Sequence, residues 1–163
     1  MDNREILNDF FIRIYNRILI IEEAAVSCFG NGDVSVSELH IIEAINRQVS
    51  ENDNTMSAIA RRLSVSAGAL SVAVSTLVKK NYLFRETSDL DRRKVYVFLT
   101  EKGKKAERYH NKFHIDMIDE ITDSMTESEL EMLTRSLICL GNFFEATSDK
   151  KIKKAAEKTN DDQ

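Results

Sequence analysis

Apolar residues recur at helical spacing through most of this 163-residue chain, and one stretch alone switches to strand-like runs. Residues 2–29 carry Ile6, Phe10, Ile14, Ile18, Ile21 and Ala25 on one stripe, with Leu7, Phe11, Tyr15 and Leu19 on an adjacent one. A single stripe suffices for a surface helix; two predict cover from a second subunit or a ligand. Gly30-Asn31-Gly32-Asp33 ends that helix, and Ser35 with Glu38 has the spacing of a capping box opening the next, to about Arg47. After a polar loop, Thr55 can cap a short helix over 56–63; Ser64-Val65-Ser66 breaks it, and Ser66 can cap another over 67–80. Residues 82–86 and 95–99 are β-prone runs around a charged turn whose only apolar residue is Leu90. Thr100 can cap a helix to about Thr122, its apolar face formed by Ala106, Tyr109, Phe113, Met117 and Ile121. Thr126 and Glu129 repeat the capping-box spacing ahead of Leu130, Leu133, Leu137, Leu140 and Phe144. From Ala146 the pattern fades into a lysine-rich tail, expected to be frayed or disordered.

This order predicts a mainly α protein with a small β-hairpin: a winged helix-turn-helix between long terminal helices. In the second helix of the motif, Leu70, Val74 and Leu77 point inward, leaving Gly68, Ala69, Ser71, Val72, Ser75 and Lys79 outward. A face of small side chains can lie close in a DNA major groove, where methyls and hydroxyls meet thymine methyls and base edges.

Zero Pro and 5 Gly suit a helical chain, and the length suits one domain with a dimerisation layer. The net charge of −4 argues against nucleic acid until its distribution is considered. Residues 55–105 hold 11 Lys/Arg against 4 Asp/Glu, a local excess of +7 that leaves −11 elsewhere. A basic module on an acidic body suits a DNA reader. Cys28 and Cys139 lie in apolar helical runs and propose neither a disulfide framework nor a C-x-x-C site. No signal-peptide pattern opens the chain, and Arg13 and Arg17 interrupt the run over 10–21, so a cytoplasmic protein without membrane contact is expected. No nucleophile elbow, phosphate loop or carboxylate pair points to an enzyme.

The run Asp91-Arg92-Arg93-Lys94 followed by Val95-Tyr96-Val97-Phe98-Leu99-Thr100-Glu101-Lys102-Gly103 resembles the wing signature of MarR-type transcriptional regulators: D-x-R, a strand, then L-T-x-x-G. The resemblance covers roughly residues 2–145. It implies a MarR-type domain over 1–146, in which helices 2–29 and 126–146 form a homodimer and 36–105 form the winged module; residues 147–163 are a charged tail. Three stretches are similar to the FabT-like repressors of fatty-acid synthesis: Ile14-Tyr15-Asn16-Arg17-Ile18-Leu19-Ile20-Ile21-Glu22-Glu23, Val36-Ser37-Glu38-Leu39-His40-Ile41-Ile42, and Tyr109-His110-Asn111-Lys112-Phe113-His114-Ile115-Asp116-Met117. That branch implies a DNA-binding repressor whose corepressor is long-chain acyl-acyl carrier protein, with no bound cofactor. On this reading Thr55, Ser66, the outward face of the recognition helix, Asp91, Arg92, Arg93 and Lys94 meet double-stranded DNA, an A/T-rich palindromic operator. Phe11, Tyr15, Leu19, Phe113 and Met117 would wall the acyl pocket, with His40, His110 and His114 at its polar mouth. The alternative is a zinc-responsive or other small-molecule-responsive member. Cys28, His40, His110 and His114 could make a tetrahedral site, although Leu39 stands where a carboxylate ligand would help.

Overall fold

The computed structural model describes residues 2–29, 32–88, 91 and 94–161, without the side chains of Tyr15 and 148–161. It comprises α1 (Asn3–Ser27), α2 (Val36–Ser50), α3 (Met56–Leu63), α4 (Ala67–Lys79), β1 (Leu83–Thr87), β2 (Val95–Leu99), α5 (Glu101–Asp123) and α6 (Glu127–Asp161). The chain divides into two compact units, residues 1–115 and 116–163.

Local chemistry sets the boundaries. The Ser35 hydroxyl accepts from the Glu38 amide at 3.3 Å, and the Glu38 carboxylate accepts from the Ser35 amide at 2.9 Å, satisfying donors that a helix start leaves open. Thr55 caps α3 by accepting from Ala58, and Ser66 caps α4 by accepting from Ala69. Ser64 ends α3 in the left-handed region, at φ 54°, where the chain turns toward α4. Thr126 and Glu129 open α6 with the same reciprocal pair. Where the apolar pattern predicts an end near Ala146, the α6 backbone stays helical to Asp161. Ala, Lys and Glu are strong helix formers, and no Gly or Pro interrupts residues 147–161.

The core of the first unit joins α2, α3, α4 and the hairpin. Leu39, Ile42, Ile45, Ile59, Leu70, Val74, Leu77, Tyr82, Leu83 and Val97 are all but sealed from solvent. β1 and β2 pair antiparallel, with Leu83 opposite Leu99 and Thr87 opposite Val95. Inward Leu83, Val97 and Leu99 alternate with outward Phe84 and Phe98, whose rings stack at 5.4 Å. Thr55 bridges to Tyr96, and the buried Asn54 binds β2 twice, donating to the Val97 carbonyl at 2.8 Å and accepting from its amide at 3.0 Å. Asn54 therefore fixes the start of α3 against the wing.

The L-T-x-x-G run now has a physical reading. The Thr100 hydroxyl donates to the Asn81 carbonyl at 2.7 Å and accepts from the Gly103 amide at 3.1 Å, so it joins the α4–β1 turn to the first turn of α5. A Cβ on Gly103 would fall 2.1 Å from the Tyr82 carbonyl oxygen, so only glycine fits.

Candidate DNA-reading face and a buried histidine cluster

The outward face of α4 emerges as its spacing predicts: Gly68, Ala69, Ser71 and Lys79 are exposed, Val72 is 70% exposed and Ser75 is half-buried. Arg85, from the middle of β1, lies beside this face. Its guanidinium donates to the Ser71 carbonyl at 3.1 Å and the Ser75 hydroxyl at 2.9 Å. At the described edges of the wing, Ser88 donates its amide to Lys94, and Lys94 donates its own to the Asp91 carbonyl at 2.9 Å. Arg92 and Arg93 lie outside the described residues.

Ion pairs occupy several of the cations counted in residues 55–105. Lys80 binds Glu38 at 2.7 Å, Lys102 binds Asp33 at 2.6 Å, Arg62 binds Glu51 at 2.9 Å, and Lys104 binds Glu101 at 2.8 Å. Arg62, Lys80 and Lys102 thereby join separate segments of the module, while Lys79 and Lys94 stay exposed. Lys102 also lies 4.1 Å over the Tyr82 ring, and the Tyr82 hydroxyl donates to Asp33. Burial, then the Asp33 partner, pushes the Tyr82 phenol well above its usual range; Lys102, then Tyr82, hold the Asp33 carboxyl below its own.

A second site lies where α1, α2 and α5 meet. His40, His110 and His114 converge on a carboxylate, and that carboxylate is Glu22 rather than a cysteine. Cys28 is exposed, its thiol turned to the Ala24 carbonyl at 3.6 Å. Glu22 is 3% and His110 2% exposed. Glu22 Oε1 stands 3.2 Å from His114 Nε2, 3.7 Å from His40 Nε2 and 3.9 Å from His110 Nε2. The Nε2 atoms of His110 and His114 are 3.1 Å apart, and one ligand atom from each of the four residues fits within 4.8 Å of every other. Zinc bonds of roughly 2.0–2.1 Å in a tetrahedron separate ligand atoms by about 3.3 Å, so the four side chains stand near, and on average slightly wider than, the spacing of a three-histidine, one-carboxylate site. Glu43 faces the other nitrogen of His110, Nδ1, at 3.7 Å, beyond hydrogen-bond distance, and pairs with Arg47 at 2.5 Å. Burial, then the neighbouring His114 and His40, lower the His110 pKa and favour the neutral form that ligates metal.

Glu22 was legible in principle, since it follows Ile14 and Ile18 at helical spacing and puts a carboxylate into an apolar stripe. Glu43, Asn54 and Arg85 carried no such signal. Among the candidate pocket walls, Phe11 is exposed, Leu19 and Phe113 are half-buried, and Met117 falls in the second unit. A separate cavity of 350 Å³ opens between α2, Leu63, Val65 and α4, with His40, Ile41, Ala69 and Ala73 in its lining.

A short helix, a turn, a second helix with an open small-residue face and an antiparallel wing define a winged helix-turn-helix of the DNA-reading kind. The chain belongs to the MarR family of transcriptional regulators, whose sequence pattern residues 32–94 match. It is similar to Streptococcus pneumoniae FabT, solved in complex with DNA, at 31% identity and a TM-score of 0.81 over 88% of this chain and 98% of that one. It is also similar to the HTH-type transcriptional regulator MhqR of Bacillus subtilis, at 30% identity over 91 residues, 56% of this chain and 63% of the relative. YvnA of the same bacterium is 32% identical over 82 residues, half of each chain. The chain thus spans only 63% and 50% of these two relatives. MepR of S. aureus bound to DNA shares the fold, with a TM-score of 0.67 at 18% identity over 82% of this chain and 94% of that one. Family membership makes the protein a regulator rather than an enzyme.

Proposed function

We propose that this chain is a cytoplasmic homodimeric repressor of fatty-acid biosynthesis genes, with long-chain acyl-acyl carrier protein as corepressor. The observation that carries this reading is the likeness to FabT over nearly the whole of both chains. The dimer is supported by α1, where Ile6, Leu7, Phe10, Ile12, Ile20 and Ile21 are 45–61% exposed in the single chain. An apolar face of that extent calls for a partner surface. The two winged modules of a twofold dimer would read half-sites about 10 base pairs apart in an A/T-rich palindrome, with Arg93 entering a flanking minor groove. Each α4 would offer methyls and hydroxyls rather than guanine-seeking arginines. The acyl tail would lie between α1, α2 and α5, with His40, His110 and His114 at its polar end. The test is fluorescence anisotropy on promoter DNA of the fatty-acid biosynthesis genes, with and without long-chain acyl-acyl carrier protein. Tighter binding with the acylated carrier, and no change with unacylated carrier, is expected; the same affinity in both cases refutes the corepressor.

The convergence of Glu22, His40, His110 and His114 favours a second reading, a metal-responsive regulator. The donor set fits Zn²⁺, which would neutralise the buried carboxylate and tie α1, α2 and α5 together. Three imidazoles and one carboxylate leave no open ligand position in a tetrahedron, so the site would be regulatory or structural rather than hydrolytic. Metal analysis of the purified protein and a DNA titration after chelation decide between the readings. Zinc at one per chain, with operator binding lost on chelation and restored by zinc, selects this one; unchanged binding removes it.

A further inference from the structure

We propose that Arg85 is a positioning residue for sequence recognition, acting from the wing strand through the recognition helix; this rests on the DNA-binding reading above. Arg85 sits at the centre of β1, opposite Val97, and its guanidinium crosses to α4. One nitrogen, Nη2, donates both to the Ser71 carbonyl at 3.1 Å and to the Ser75 hydroxyl at 2.9 Å. The Ser75 hydroxyl in turn donates to the Ser71 carbonyl at 2.6 Å. The three groups form a closed triangle on the DNA-facing side of the helix.

Two consequences follow. First, Ser75 is an anchor rather than a base reader. Its single O–H is spent on Ser71 and one of its two lone pairs on Arg85, which leaves one weak acceptor for a base edge. Direct readout then falls to Gly68, Ala69 and Val72 with the exposed Ser71 hydroxyl, so much of the discrimination depends on how closely that surface meets thymine methyls. Second, such apolar readout is steeply sensitive to helix position, because dispersion contacts decay within an ångström of the optimal separation. A charged clamp from the wing to the middle turn of α4 makes the depth of the helix and the placement of the wing one rigid property. Charged-donor hydrogen bonds are the stronger kind, which suits an exposed clamp.

The experiment uses a duplex selected by the wild-type protein from a random-sequence pool, and a scrambled duplex of the same composition. Full-length Arg85→Met, Arg85→Lys, Ser75→Ala and the Arg85→Met/Ser75→Ala double variant are titrated on both across a salt series. Arg85→Met, of similar length but without donors, should bind the selected duplex about 10-fold more weakly. On the scrambled duplex it should stay within about twofold of wild type, with an unchanged salt slope. Arg85→Lys, which keeps a charged donor, should recover most of the specificity ratio. The double variant should lose little more than Arg85→Met alone, because both changes open the same triangle. Uniform weakening on both duplexes with a slope reduced by about one would make Arg85 a phosphate contact and overturn the proposal. A lower melting temperature with an unchanged specificity ratio would make it merely structural and also overturn it. If the wild type enriches no sequence, the DNA-binding reading fails and this proposal falls with it.

Discussion

Gly103→Ala tests how the wing is attached to the long helix behind it. The added Cβ would lie 2.1 Å from the Tyr82 carbonyl oxygen, 3.2 Å from the Tyr82 carbonyl carbon and 3.3 Å from the Leu99 Cβ. Restoring even a 3.0 Å approach requires a backbone movement of 0.9 Å, the difference between 3.0 and 2.1 Å. The obstructing carbonyl cannot yield cheaply. It accepts from the Thr100 amide at 3.0 Å and the Thr100 hydroxyl at 3.1 Å, and the Tyr82 ring is buried with its hydroxyl bound to Asp33. Overpacking of this kind costs roughly 1–3 kcal/mol and more where backbone opposes it, while alanine returns about 1 kcal/mol of helix propensity. We expect a net loss of about 2 kcal/mol, or roughly 4–8 °C in melting temperature for a chain of this size. Gly68→Ala is the matched control for stability: it is also helical, but nothing lies within 4 Å of its added Cβ. Thermal denaturation followed by circular dichroism, at one protein concentration, compares the two. Because the movement falls at the root of the wing, specific DNA affinity should drop as well. A Gly103→Ala melting temperature equal to that of Gly68→Ala would refute the steric argument.

Leu137→Asp should abolish the dimer, since a charge buried without a partner costs several kcal/mol. Leu137 is 49% exposed in the single chain, so a monomer would tolerate the change, and light scattering separates the cases. Arg93→Ala should cost about 1–3 kcal/mol on an A/T-flanked operator and relax the preference there, whereas Lys79→Ala should weaken all sequences alike and lower the salt slope by roughly one. Anisotropy titrations on A/T- and G/C-flanked duplexes read both; equal Arg93→Ala and wild-type affinity on the A/T-flanked site would remove that arginine from the readout. Asp33→Ala strands the buried Tyr82 hydroxyl and should cost about 1–3 kcal/mol, with Asp33→Asn, which keeps an acceptor, losing less. Because the folded-state pKa of Asp33 is lowered, its contribution is present above the ordinary value of 3.8 and disappears as pH falls through the folded value. In urea titrations between pH 3 and 6 the gap between wild type and Asp33→Asn should therefore narrow toward the acid end; a constant gap would count against the ion pair.

What the amino-acid order decides alone here is local. The Ser35/Glu38 and Thr126/Glu129 caps, the inward Leu70, Val74 and Leu77, and the antiparallel hairpin could all be read from spacing, because each depends on groups a few residues apart. The wing signature was legible as a pattern, yet its reason was not: Gly103 is required by a carbonyl brought from Tyr82, across the hairpin. Tertiary structure decided between the two candidates for the fourth member of the histidine cluster. Glu22 lies in α1 and Cys28 caps its C-terminal end, and the packing of α1 against α2 and α5 turns the carboxylate inward and leaves the thiol outside. It likewise committed three of the counted basic side chains, Arg62, Lys80 and Lys102, to ion pairs with other segments and assigned Ser75 to Arg85. Charge and hydrogen-bonding capacity are properties of a residue, but which partner uses them depends on distances that arise only when segments remote in sequence pack together.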